Sequence, residues 1–240
     1  MKIGRLRRLL PLLLLRCTPT RFGRMPATPS PMPKITAITE QRRRKNRRSV
    51  SIDGEFAFGI NVNVVARFRL REGMTIDDDL RRQIEEGEVK QEAFDHALRL
   101  LGQRMQGEKE LRTKLGRKEY GPGVIDAVVA ECRRLGYVDD VKYAAGRASD
   151  AANLKGHGER RAVQELVAKG VDRAVAEQAA GEAYAEVDPL EAALALAEKK
   201  RPSLERLDRD KAYRRLAGFL QRRGFDYDTI SAVVEKVLPR

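Results

Sequence analysis

The sequence predicts a mostly α-helical chain of tandem three-helix repeats, solenoid-like in construction, behind a small N-terminal module containing a β-hairpin. Three observations predict it. The composition is 42% hydrophobic and 35% charged, with 5% aromatics and no Trp, a balance that favours helix. From Thr75 onward, apolar residues recur at helical spacing. Leu111 with Lys114, Leu166 with Lys169 and Gly170, and Leu220 with Arg223 and Gly224 fall into register at separations of 55 and 54 residues, a period that holds three helices. Such units stack on their neighbours, so the expectation is one continuous core.

Residues 1–33 are expected to form a disordered leader and linker. The apolar run Leu9 to Leu15 ends at Arg16, far short of the roughly 20 residues of a membrane span. No small-residue cleavage motif follows closely, so a disordered or spuriously translated leader is favoured over a targeting signal. Met25 or Met32 would make better starts. Pro26 to Pro33 is punctuated by proline and cannot hold regular structure.

Residues 34–76 read as the β-containing module. Ile35 to Thr39 alternates, and Val50 to Ile52 and Phe56 to Phe58 flank Asp53-Gly54, a pair suited to the type I′ turn of a hairpin. Asn63 to Leu70 is expected to be a short helix between strands, and Met74 to Ile76 a further strand-prone segment. Thr75 or Asp77 can cap a helix reaching Glu86, with Phe94, Ala97, Leu98, Leu101 and Met105 forming the next stripe.

The first helical repeat, with its leading helix, spans 77–144. Leu111 and Leu115 lie one turn apart, and Ile125, Val128, Val129 and Cys132 form one stripe. Pro122 suits the start of the second helix and Gly136 its end. Asp139-Asp140 can cap the helix carrying Tyr143 that follows. The second repeat, 141–187, breaks at Lys155 to Gly158, including Gly156, before a helix with Val163, Leu166 and Val167 inward and another carrying Val175, Ala179 and Ala183. The third, 188–240, opens with Asp188 as cap, Pro189 as first helical residue and Glu191 as capping-box acid, and ends on Ile230, Val233, Val234 and Val237.

The formal net charge of +13 is unevenly placed. Residues 1–48 hold 14 Lys/Arg and one acid, Glu40, while the remainder is neutral. The helical body is therefore not a bulk polycation, and attraction to a polyanion must come from a patch or from the N-terminal arm. Arg42, Arg43, Arg44, Lys45, Arg47 and Arg48 form the strongest chemical signal. The plain reading is a solvated connector between strands; contact with phosphates or acidic protein is favoured because the run lies within a hairpin. Lys114, Lys169, Lys199, Lys200, Arg201, Arg222 and Arg223 are further contact candidates. Lys199-Lys200-Arg201, Arg214-Arg215 and Arg222-Arg223 are weaker, because Glu205, Asp208 and Asp210 are expected to neutralise them as surface pairs. Base stacking is not expected, for want of an aromatic stripe.

Enzyme signatures are absent from the sequence. It has no phosphate loop, no H-E-x-x-H and no nucleophile elbow. His96 is expected at a helix surface or edge, and His157 in a polar loop. Asp139-Asp140 and Asp77 to Asp79 are better helix caps than metal ligands. Cys17 and Cys132 give no metal spacing, and Cys132 on an apolar stripe reads as a buried thiol in a reducing compartment. No catalytic residue, metal or cofactor is expected.

Read together, these segments resemble the RecX family, regulators of the bacterial recombinase RecA. The resemblance is carried by Glu110-Leu111 with Lys114-Leu115, by GYVDD at 136–140 followed by Tyr143-Ala144, and by KGHGERR at 155–161. Glu165-Leu166 with Lys169-Gly170, Lys199-Lys200, and RRGFDYDTI at 222–230 with its Gly224 and Phe225 complete it. It spans about 34–238; residues 1–31 have no counterpart, and Gly107 stands where members often carry a small polar residue. The resemblance implies a curved, elongated, non-enzymatic body. It would lie along a RecA filament on single-stranded DNA, bridge protomers and oppose filament growth or ATP turnover. It also implies a cytoplasmic monomer with no membrane contact, reaching DNA directly or through the filament. A stand-alone, sequence-neutral DNA-binding protein using the basic hairpin is the alternative. A helical interaction module with another partner and a hidden nuclease rank lower.

Overall fold

The computed structural model describes residues 32–42 and 44–238. The expectations for residues 1–31, and for Arg43, fall outside the described residues.

The N-terminal module is a three-stranded antiparallel sheet of β1 (Ile35–Gln41), β2 (Arg44–Ile52) and β3 (Glu55–Asn61), with β2 central. Asp53 at φ 50° and Gly54 at φ 89° make the turn between β2 and β3, as the Asp-Gly pair predicts. Most of the basic run is strand, and among the described residues only its start, at Arg42, lies in the turn after β1. Arg44 to Arg48 belong to β2 itself, because its backbone pairs with β1 on one side and, from Arg47 onward, with β3 on the other. Val50 and Ile60 beneath supply apolar burial, so ladder and core outweigh the weak strand preference of charged residues.

Two further expectations for the module are corrected. Helix α1 (Val62–Arg67) follows β3 rather than lying between strands, with the Asn61 side chain accepting from Asn63 N. Met74 to Ile76 forms only one bridge, Lys34 to Thr75. Gly73 at φ 81° and the Asp77 cap of the next helix close in on it from both sides, leaving no room for a ladder.

Helix α2 (Asp78–Leu101) runs unbroken for 24 residues, where the sequence suggested a stop at Glu86. Its first half gives Ile84 to the module core, and its second gives Ala93 and Ala97 to the next core. Gly87 explains the continuity: a Cβ there would stand 2.8 Å from Phe68 Cε2, so the glycine admits that ring rather than breaking the helix. Met105, expected on the stripe, lies beyond the helix end and is exposed.

The second half of α2 completes a trio with α3 (Glu108–Gly116) and α4 (Pro122–Arg134). The second trio is α5 (Asp140–Asn153), α6 (Glu159–Ala168) and α7 (Arg173–Tyr184). The third is α8 (Pro189–Lys200), α9 (Arg209–Arg223) and α10 (Tyr227–Val237), with a 3₁₀ turn at Arg201–Ser203. Leu111, Leu115, Tyr143, Leu166, Leu220 and Phe225 are buried. Burial pushes the Cys132 thiol up to about 11. Val167, expected inward, is 37% exposed, because the buried stripe of α6 runs through Ala162 and Leu166 and turns away before it.

The expected continuous core is also corrected. Among the described residues the apolar interior divides into four clusters, one for the N-terminal module and one for each trio. Helix packing is concentrated within each trio. The trios meet through backbone carbonyls, glycines and long basic side chains, with Tyr143 against Gly107, Leu196 against Gly156 and Asp140 bonded to Glu108 N.

Candidate partner-binding surface

At the sheet's open end β1 and β2 extend past β3, whose pairing stops at Arg47 opposite Asn61. The register shifts between Glu40 and Gln41, so that Gln41 faces Arg44 while Glu40 faces Arg48. That bulge leaves residues 45–47 without β1 partners and splays their side chains. Arg42, Arg44 and Lys45 are exposed there, and they make no ion pair among the described residues.

Arg47 and Arg48 are committed internally. Arg47 lies 2.8 Å from Glu88 of α2 and donates to Gly59 O at 2.7 Å. Arg48 donates to Lys45 O at 2.9 Å and stands 3.9 Å from Glu40. The basic run thus divides into a tip free to meet an anion and a base that fastens the sheet to α2.

The repeat-signature glycines and aspartates lie at helix ends, whereas the signature leucines and aromatics lie in the cores. Gly136, Gly156, Gly170 and Gly224 all take positive φ. Asp139 caps α5, accepting from Val141 N and Lys142 N at 3.0 Å. Asp140 instead caps α3 across the junction, accepting from Glu108 N at 2.9 Å. Both acids, expected to cap one helix, cap two. Burial pushes the Glu108 carboxyl up, but Arg112 and Arg133 outweigh it and hold it below the usual range.

A matching set joins the second and third trios. Gly158 N donates to Arg223 O at 2.7 Å, Arg161 Nη1 to Arg222 O at 2.6 Å, and Arg223 Nη1 to Lys155 O at 2.5 Å. At the first junction Lys109 packs on Gly170 and donates to Ala168 O at 3.3 Å. In both places a basic stem from the middle helix of one trio covers the left-handed glycine closing the middle helix of the next. The sequence reading did not single out Lys109, and it quoted Arg161 only as the end of KGHGERR without a junction role; what the two share is a place near the start of α3 and α6.

Lys114 is held by Glu110 at 3.0 Å and donates to Gln106 at 2.8 Å. Lys169 and Lys199 are exposed, and Arg201 pairs with Glu198 at 3.5 Å. The neutralisation expected on α9 is not what forms. Asp208 caps the helix and pairs with Lys211 at 2.9 Å, and Arg214 reaches only the backbone oxygen of Asp210. Arg215, Arg222 and Arg223 make no ion pair among the described residues. Cap geometry takes up Asp208 at the start of α9, the opposite end from Arg222 and Arg223.

Neither histidine lies at an open surface. His96 sits in contact with Tyr120, and its Nδ1 is buried without a protein partner. His157 Nδ1 is 3.4 Å from Glu165 Oε1 but outside hydrogen-bond geometry, and Tyr184 donates to His157 O at 2.7 Å. No group of three or more metal-ligating side chains occurs among the described residues, and no helix among them is long and apolar enough to cross a membrane.

Four family models match in chain order: the regulatory protein RecX N-terminal domain over 33–77, and the first, second and third RecX three-helix domains over 93–132, 139–179 and 186–234. Regulatory protein RecX of Bacillus subtilis is 30% identical over 86% of this chain and 78% of its own length. That of Clostridioides difficile is 30% identical over 85% of this chain and 95% of its own. The chain belongs to the RecX family. A crystal structure of regulatory protein RecX aligns with a TM-score of 0.75 at 24% identity, covering 84% of this chain and 98% of that one. RecX from Lactobacillus salivarius aligns at 0.55 and 22%, covering 63% and 97%. These two establish the RecX fold, and the curated relatives are named as regulatory proteins.

Proposed function

We propose that this RecX-family chain is a non-enzymatic regulator that binds RecA filaments on single-stranded DNA and mainly inhibits recombinase and ATPase activity. In this reading it acts as a cytoplasmic monomer. Its units, taken as 34–76, 77–144, 141–187 and 188–240, would be set against successive parts of the filament. The observation carrying the reading is the serial build: four separately cored units joined in line. A body of that kind offers extended surface, and several weak contacts to one polymer add as avidity. The exposed tip of Arg42, Arg44 and Lys45 supplies an electrostatic contact to DNA phosphate or an acidic rim. Inhibition then requires only that the protein bind one filament state better than another. Membership in a family of regulators weighs against a stand-alone DNA-binding protein.

The test is RecA ATPase on single-stranded DNA as the protein is titrated below the recombinase concentration. Turnover is expected to fall at substoichiometric amounts. Flat turnover until the protein matches the DNA sites would overturn the filament reading in favour of competition for DNA.

A further inference from the structure

Residues 199–223 carry ten Lys/Arg and three acids, a concentration of positive charge within a helical body that is neutral as a whole. Much of it converges on one ring. Phe219 of α9 is half-buried against the third core. Lys200 Nζ stands 5.8 Å from its centroid and Arg223 Cζ 5.3 Å. Lys211, Arg215 and Arg222 follow at i, i+4 and i+11, which places them on one side of α9 beside that ring.

Gly218 lies within this stripe, and Arg222 Nη1 is 3.3 Å from where a Cβ on it would stand. The absent side chain lets the guanidinium lie along the helix toward Arg215. Of these five cations only Lys211 has a carboxylate partner, Asp208, among the described residues. Lys200 and Arg223 stand over the Phe219 ring, and Arg215 and Arg222 lie on the same side of α9; these like charges repel one another, and an anion laid across them would relieve that repulsion.

We infer that the Lys200–Arg215–Arg222–Arg223 face of the third trio is a seat for the phosphodiester backbone of single-stranded nucleic acid, separate from the N-terminal hairpin tip. Arg215 and Arg222 are seven residues apart, about 10 Å along the helix, far enough for each guanidinium to meet a different phosphate of one strand. Arginine forks suit phosphate oxygens. The seat concerns direct nucleic-acid contact and does not require the recombinase, so it stands or falls independently of the proposed function.

The experiment is anisotropy of a labelled oligothymidylate with the full chain across a salt series, with no recombinase present. The double variant Arg215→Ser/Arg222→Ser is expected to bind roughly tenfold more weakly, with a log–log salt slope shallower by about 1.4, as for two lost single-strand contacts. Arg209→Ser/Arg214→Ser removes equal charge from other sides of α9 and is expected to change the slope by less than half as much. Unchanged slope in the first variant overturns the seat. Equal loss in both variants also overturns it, leaving general charge attraction. Polyaspartate binding that depends on Arg215 and Arg222 while oligothymidylate binding does not would assign the face to an acidic protein instead.

Discussion

The N-terminal module and the first trio are joined quite differently from the trios themselves. At the first boundary a single helix, α2, contributes to both cores, and side chains brace it. Arg47 meets Glu88 at 2.8 Å, Glu88 accepts from Asn61 N at 2.8 Å, and Asn61 Nδ2 donates to Asp95 at 2.9 Å. At the later boundaries no helix is shared. The trios touch where a basic stem crosses a left-handed glycine and bonds a helix-end carbonyl. The lesson is that the first joint is made by one helix shared between two cores, whereas the later joints are made by local contacts, several of them at glycines with no room for a side chain.

Gly224 offers the sharpest way to break a later joint. It takes φ 90°, and a Cβ on it would meet Arg161 Cβ at 2.5 Å and Arg161 N at 2.6 Å. Gly224→Ala therefore combines left-handed strain with a clash against backbone, and is expected to cost about 3 kcal/mol. Gly136 takes φ 74° with nothing within 4 Å of its missing Cβ, so Gly136→Ala is expected to cost only the strain, about 1–2 kcal/mol. Urea unfolding of both variants checks this. Equal losses would mean that the contact on Arg161 adds nothing and that the joint is held elsewhere.

At the first joint Glu88→Ala removes the partner of Arg47 and the acceptor of Asn61 N together. Arg47 and Glu88 side chains are 24% and 20% exposed, shielded enough for the loss to register, and about 2 kcal/mol is expected. Hydrogen exchange should locate the effect in β2, β3 and the first half of α2. Protection lost equally from the third trio would show that the joints are coupled, contrary to the separation of the cores.

Why the turns and the repeat register were legible in the sequence and the joints were not has a physical explanation. The Asp53-Gly54 turn, the Leu111, Leu166 and Leu220 register and the closing glycines are local, so periodicity and turn chemistry reveal them. Among the contact candidates, Arg42, Arg44 and Lys45 are exposed as the charge run suggested. The strand character of Arg44 to Arg48 was hidden because pairing on both sides, not side-chain preference, creates it. Helix α2 read as two pieces because Gly87 looks like a break until Phe68 is seen against it. The later joints bond side chains to backbone carbonyls 59 and 61 residues away, and a carbonyl carries no residue identity for a sequence pattern to display.

The smallest expected effect tests whether the second of the later joints responds to pH. His157 is packed among Glu165, Lys155, Arg161 and Arg223, with Tyr184 bonded to its carbonyl. Burial lowers its pKa from 6.5; Glu165 works the other way, while the three cations assist burial. The folded state thus favours the neutral ring, and the unfolded chain binds the proton first as pH falls. Stability present above the ordinary value of 6.5 is lost as pH drops below it toward the folded pKa. His96, also lowered by burial, contributes with the same sign from the first trio. Glu165 is held below the usual carboxylate range, with burial opposed by His157, Lys155 and Arg161, so it stays charged at the start of that window. His157→Gln should therefore reduce, without abolishing, the fall in urea midpoint between pH 7 and about pH 5. An undiminished fall would place the acid sensitivity in His96 or the carboxylates, and leave the later joint as indifferent to pH as the first.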